Sequence, residues 1–259
     1  MSTSSPTVYL VTGANRGIGL GLAKELATRP NAIVFAGARN PAAEALAELS
    51  AVHKNVHPMK LTLCDEEDNK AAVAEIEKTA GRLDVVIANA GELHGSASMQ
   101  FLTSALPISD LREKFEVNTV GMVVLFQAVY KILLASPTGA PVFANISTGS
   151  ASLARYLPMF NTGYNTSKAA ANFLIREIDA QNPTLIAMAI SPGWVQTDMG
   201  AAGAARAGLP MAPVTVQDSV EGILSRIDGA TKEKSSGKFW NFKATSGNPW
   251  DIETEEIPW

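Results

Sequence analysis

The chain has 259 residues, of which 46% are hydrophobic and 18% charged; this supplies a core for one large or two small domains and argues against a disordered polypeptide. The net charge of -4, with no long basic run, argues against nucleic acid as a main partner. The single cysteine, Cys64, excludes an intrachain disulfide and fits a reducing compartment, and His53, His57 and His94 stand at no metal-ligand spacing, so no metal is expected. The opening "MSTSSPT" lacks the pattern of a signal peptide, and no continuous apolar run reaches the length of a membrane span. A cytoplasmic protein with no membrane partner is expected.

In chain order, residues 7–13 ("TVYLVTG") form a short β-rich run ending in glycine, and 17–28 carry helix formers. A second strand is expected over 32–38 ("AIVFAGA"), then a helix over 41–52 opened by Pro41. Residues 55–63 read as a third strand, and 65–81 as a helix with an acidic first turn and a glycine at its end. A fourth strand over 83–91, a long helix over about 110–135 and a fifth strand over 140–147 follow. The remaining elements are a helix over 162–181, a strand over 184–191, a helix over 215–228 and a strand over 237–242. Continuous apolar strands alternating with helices imply a parallel sheet covered on both faces. No linker, repeat or composition break divides the chain. The expectation is a single α/β domain over 1–259, a doubly wound, seven-stranded, mostly parallel sheet of the Rossmann type, with a substrate loop at about 196–214 and a C-terminal tail over 243–259.

The first strand runs into "TGANRGIG", in which Gly13, Gly17 and Gly19 are spaced G-x-x-x-G-x-G where a helix opens. Glycine permits the tight turn and lets a pyrophosphate approach the backbone, while the helix N-terminus presents N–H groups and positive potential. The same spacing would serve a plain turn, but its place after the first strand favours a dinucleotide. An acid at the end of the second strand would hold a ribose 2′-hydroxyl; here that end reads "GARNP", with Arg39 and no acid before Glu44. Arg39, with Arg16 in the glycine loop, favours a 2′-phosphate and hence NADP(H). Later in the chain, "GYNTSKAA" sets Tyr164 and Lys168 four residues apart, on one helix face and one turn from each other. By itself that pair also fits a surface tyrosine beside a solvated lysine.

These motifs, in order, resemble the short-chain dehydrogenase/reductase family over essentially the whole chain: "TGANRGIG" at 12–19, "NAG" at 89–91, Asn118 in "FEVNTVG", "YNTSK" at 164–168 and "PGWVQTDM" at 192–199. Within the family the chain is most similar to a carbonyl-reductase branch of sniffer-type and norsolorinic-acid-reductase-like proteins. The resemblance implies NADPH-dependent reduction of an aldehyde or ketone, with Tyr164 as general acid. It further implies that Lys168 lowers the tyrosine pKa and holds the nicotinamide ribose, and that Asn118 holds a water for proton relay. It assigns cofactor contacts to the loop residues Gly13, Asn15, Arg16, Gly17, Ile18 and Gly19. Asp65 would meet the adenine, Asn89, Ala90 and Gly91 the adenine ribose, and Pro192, Gly193, Val195 and Thr197 the carboxamide. A homodimer or homotetramer is implied.

The chain departs from the family where a catalytic serine is expected. "NISTGS" puts Thr148 at that position, with Ser147 as the alternative, and strand alternation lets only one of the two face the substrate. The methyl of threonine narrows the pocket. Residues 92–99, 149–163 and 196–214 should build that pocket, with 201–213 as a mobile lid. Met159, Phe160, Trp194, Met199, Leu209 and Met211 would give an apolar lining, or else pack against the tail. Two other readings remain: a catalytically weak NADP(H)-binding redox sensor or scaffold, and an imine-reducing or biosynthetic tailoring enzyme.

Overall fold

The structure, a computed structural model, describes residues 5–93, 106–157, 161–247 and 252–259. β1 (Thr7–Thr12) leads into α1 (Gly17–Ala27), β2 (Ala32–Ala38) into α2 (Glu44–Val52) and β3 (Val56–Lys60) into α3 (Glu66–Ala80). β4 (Val85–Ala88) precedes α4 (Ile108–Phe115) and α5 (Gly121–Leu134), and β5 (Val142–Ile146) precedes α6 (Thr162–Gln181). β6 (Ile186–Ser191) is followed by α7 (Asp198–Arg206), α8 (Val216–Asp228) and α9 (Lys232–Ser235), then by β7 (Lys238–Asn241) and β8 (Glu256–Ile257).

Among the described residues these strands form one sheet in the order β3-β2-β1-β4-β5-β6-β7-β8. The first seven are parallel, as expected. β8 adds an antiparallel edge, with Phe239 opposite Ile257, and two residues are too few for a period to show in sequence. The order reverses between β1 and β4, which opens a crevice at the carboxyl ends of the strands.

Strand alternation sorts the core into two layers. Tyr9 and Val11 of β1 pack with Leu22 and Leu26 of α1, Leu46 of α2 and Ile223 of α8. Val8 and Leu10 pack on the other face with Ile76 of α3, Leu125 of α5 and Ile175 of α6. Both faces are covered, so β1 reads as an unbroken apolar run.

Several boundaries differ from the sequence expectation for local reasons. α2 starts at Glu44, not Pro41, because Asn40 Oδ1 accepts from Ala42 N (3.1 Å) and builds a turn ahead of the helix. The long helix carries a π turn over Glu116–Val120, an insertion common at functional sites, and Asn118 lies in it. Through this turn Ile108–Leu134 is 27 residues, long and apolar enough to span a membrane by length and composition, which corrects the expectation from continuous runs. Its apolar side, with Leu125, Val129 and Leu133, is used in the core. The supposed lid contains α7, whose first turn is capped by Thr197 Oγ1 accepting from Gly200 N.

Candidate active site

The cradle is built where β1 ends. Gly13 (φ 66°) and Gly17 (φ 54°) adopt the left-handed region that glycine tolerates. A Cβ on Gly19 would run into the Gly13 carbonyl and the Asn89 carboxamide, so the third glycine lets the loop close on itself and faces away from the cleft. Thr12, which the sequence reading passed over, braces this turn: its buried hydroxyl accepts from Asn89 N and Ala90 N, both at 3.0 Å. Asn89 Nδ2 returns a hydrogen bond to Thr12 O at 2.9 Å. Gly13, Asn15, Arg16, Gly17 and Ile18 line a cleft of about 1530 Å³, together with Asn89, Ala90 and Gly91 from the end of β4. A free helix N-terminus behind backbone without side chains is what a pyrophosphate requires, so these residues fit a dinucleotide.

At the far end of β2, Arg39 lines the cleft, and no carboxylate among the described residues pairs with it. Arg16 is partly engaged: its guanidinium lies 3.4 Å from Asp198 at the start of α7, both side chains being exposed. Asp65 does not line the cleft. Its Oδ1 caps α3, accepting from Glu67 N and Asp68 N at 3.0 Å each, and Cys64 takes the lining position beside it. Burial pushes the Cys64 thiol up.

α6 brings Tyr164 and Lys168 to the cleft wall one turn apart, as their spacing required. Tyr164 is half-buried, and its hydroxyl has no hydrogen-bond partner among the described residues. Lys168 is buried and its Nζ donates to Ile146 O at 2.8 Å. Burial sets both groups: it pushes the Tyr164 phenol up to about 12 and pulls the Lys168 ammonium down to about 8. Burial thus acts on Tyr164 against the lowering expected from Lys168.

Asn118 lies behind the wall. Its Nδ2 donates to Glu92 O (2.9 Å) and Ser167 Oγ (3.0 Å), while its Oδ1 accepts from Glu92 N (2.8 Å). Both amide protons are thus committed to protein, and the side chain ties the start of the 92–99 segment to α6. Beyond β5 the two hydroxyls diverge. Ser147 donates to Asn172 Oδ1 at 2.7 Å in the core, whereas Thr148 Oγ1 lies 2.9 Å from Ser150 Oγ at the cleft.

Pro192, Gly193, Val195 and Thr197 form the opposite wall. Ser219 Oγ fixes this segment by donating to Pro192 O at 2.7 Å, and a Cβ on Gly193 (φ 81°) would strike the Phe242 ring. Trp194 and Met199 line the cleft, with the indole N–H on Gly200 O at 3.1 Å; Leu209 and Met211 do not line it, and Met211 is exposed. Met159, Phe160 and residues 94–99 lie outside the described residues. The tail supplies what sequence did not assign: Ile252 enters the wall against Gly149. Its carbonyl is held by Asn241 Nδ2 and Thr245 N, both at 2.9 Å. Ser152 Oγ donates to Pro258 O (2.6 Å), Ala154 N donates to Trp259 O (3.0 Å), and the Trp259 ring stacks on Phe239.

The sequence pattern of the short chain dehydrogenase family matches residues 7–207. The chain is 41% identical over 252 residues to a norsolorinic acid ketoreductase of Aspergillus parasiticus, covering 94% of this chain and 91% of that protein. It is 37% identical over 255 residues to one of Dothistroma septosporum, covering 95% and 94%. Among solved structures it is similar to an NADPH-bound carbonyl reductase from chicken fatty liver, with TM-score 0.82, 30% identity and coverage of 99% of this chain and 100% of that one. The carbonyl reductase Sniffer of D. melanogaster superposes with TM-score 0.83 at 25% identity, covering 99% and 100%. The family pattern runs from β1 to the end of α7 and so takes in the cradle, Tyr164 and Lys168: the chain belongs to the short-chain dehydrogenase/reductase family of oxidoreductases.

Proposed function

We propose that the protein is an NADPH-dependent carbonyl reductase that converts a ketone or aldehyde of an apolar, aromatic small molecule to the alcohol. The observation that carries this reading is the meeting of three things in one cleft: a glycine cradle at a helix N-terminus, a buried lysine, and a phenol one helical turn from that lysine.

A dihydronicotinamide, when bound, supplies the hydride. The cradle and the α1 N-terminus hold the pyrophosphate, and Arg39 takes a 2′-phosphate where NAD-specific sites carry an acid. Lys168 holds the nicotinamide ribose, and the Pro192–Thr197 wall orients the carboxamide. Thr148 donates a hydrogen bond to the substrate carbonyl, and Tyr164 gives its proton to the developing alkoxide. Asn118 positions residue 92 and Ser167 of α6, whose hydroxyl donates to the Tyr164 carbonyl, and with them the tyrosine. Leu93, Leu157, Trp194, Met199 and Ile252 give the substrate end an apolar surface. That surface, and two relatives named norsolorinic acid ketoreductase, support an apolar or aromatic ketone as substrate. A sensor or scaffold would have no need of Tyr164, Lys168 and Thr148 on one cleft.

The test is NADPH oxidation by the purified protein across a panel of aryl ketones, quinones and aldehydes, with product alcohol identified. Turnover of aryl ketones with NADPH is expected. Cofactor binding without turnover of any carbonyl would leave the sensor reading in its place.

A further inference from the structure

Thr148 does not stand alone. Its Oγ1 is 2.9 Å from Ser150 Oγ, and Ser150 Oγ is 2.9 Å from Asn165 Oδ1. The three are gathered by the 3₁₀ turn Gly149–Ala151 and the first turn of α6, where Asn165 follows Tyr164 directly. Each hydroxyl has a single proton, so the direction of one bond dictates the next. With the carboxamide oxygen facing Ser150, Ser150 donates to Asn165, and Thr148 must then donate to Ser150. In that arrangement Thr148 has no proton to offer a carbonyl. Turning the carboxamide by half a revolution presents Nδ2–H instead. Ser150 then accepts from Asn165 and donates to Thr148, and Thr148 donates outward. Aligned hydrogen bonds of this kind polarise one another, so the outward chain also strengthens the final donor.

We propose that Ser150 and Asn165 are positioning residues that set the direction of the Thr148 proton, and that the Asn165 carboxamide is the reversible end of this relay. The proposal rests on the carbonyl-reductase reading and on Thr148 as the polarising hydroxyl. Asparagine suits the position because it can present either a donor or an acceptor through one rotation; a carboxylate could only accept.

The test uses the full chain, NADPH and a ketone that the unmodified protein turns over. Asn165→Asp locks the relay inward, so kcat should fall at least about tenfold at neutral pH, while NADPH affinity by fluorescence titration stays unchanged. Lowering the pH should restore kcat as the new carboxyl gains a proton to donate. Adding Ser150→Ala removes the acceptor that draws the Thr148 proton away, so the double variant should return to the level of Ser150→Ala by itself. A purely structural role, or simple repulsion by the added charge, predicts a double variant no better than Asn165→Asp. That result, or normal kcat in Asn165→Asp, overturns the relay. Should Asn165→Asp fail to bind NADPH, Asn165→Ala replaces it; adding Ser150→Ala must then change kcat by no more than about twofold, and a larger loss overturns the relay. Failure of the unmodified protein to reduce any carbonyl is a separate outcome and overturns the reading beneath it.

Discussion

Lys168 Nζ and the carbonyl of Ile146, the last residue of β5, are joined by a 2.8 Å hydrogen bond. The bond fastens the middle of α6 to the strand end that continues into Ser147 and Thr148. The tyrosine face of the helix and the Thr148 hydroxyl are thereby held in one frame.

A pH prediction follows from the burial of that ammonium. Lys168 is pulled from 10.5 to about 8, so between those values the unfolded chain binds a proton that the folded chain does not. Stability should rise with pH in that window, by at most about 1.4 kcal/mol per pH unit. Lys168→Met removes this contribution. The unfolding free energy of the unmodified protein minus that of the variant should therefore climb between pH of about 8 and about 10. A flat difference in denaturant titrations would reject it. Reductase activity should fall around pH 8, where Lys168 of the folded protein loses its charge, while Tyr164, pushed up to about 12, stays protonated.

Tyr164→Phe removes only the hydroxyl. NADPH affinity should survive while kcat for reduction drops at least about a hundredfold, the scale of general acid catalysis. Stopped-flow turnover beside fluorescence titration separates the two effects; a variant that kept most of its activity would move the proton donor elsewhere.

The two hydroxyls after β5 should separate function from stability. Thr148→Val should lower kcat by roughly 2.7–4 kcal/mol of barrier, the effect of losing a donor aimed at an oxyanion. Ser147→Ala should leave kcat near normal. It should lower stability by about 1–3 kcal/mol, since Asn172 Oδ1 loses the donor it has in the core. Thr148→Ser should retain activity and admit bulkier ketones. The opposite ranking in steady-state kinetics would exchange the roles.

Cofactor choice should depend more on Arg39 than on Arg16, because Arg16 already faces Asp198. Catalytic efficiency with NADPH should exceed that with NADH by at least about tenfold, or 1.4 kcal/mol. Arg39→Asp should erode or reverse the ratio, and Arg16→Ala should reduce it less. Equal use of the two cofactors by the unmodified protein would contradict this.

The sheet was legible because strands buried on both faces leave unbroken apolar runs; "AIVFAGA" became β2 with both ends where the run placed them. The cradle was legible because its glycines carry a backbone requirement at fixed spacing. α7 was not, since alanine and glycine mark no apolar face, and its one local signal was Thr197 ahead of an acidic first turn. α9 is similar: Thr231 caps it, over a helix of only four residues. The partners of the hydroxyls were out of reach for another reason. Ser147 meets Asn172 and Ser150 meets Asn165 across 25 and 15 residues, and only the docking of α6 on β5 sets those distances.

The seating of Ile252 and Trp259 has a consequence for the order in which the protein assembles. Ser152 meets Pro258 across 106 residues, so this contact closes after the sheet that anchors it exists. The nucleotide half of the cleft, built from β1, α1 and β4, does not wait for it. Chains shortened before residue 252 should therefore acquire dinucleotide affinity early in refolding while their carbonyl end stays open to water. In the intact protein the same segment should be the first part of the cleft to exchange its amide hydrogens.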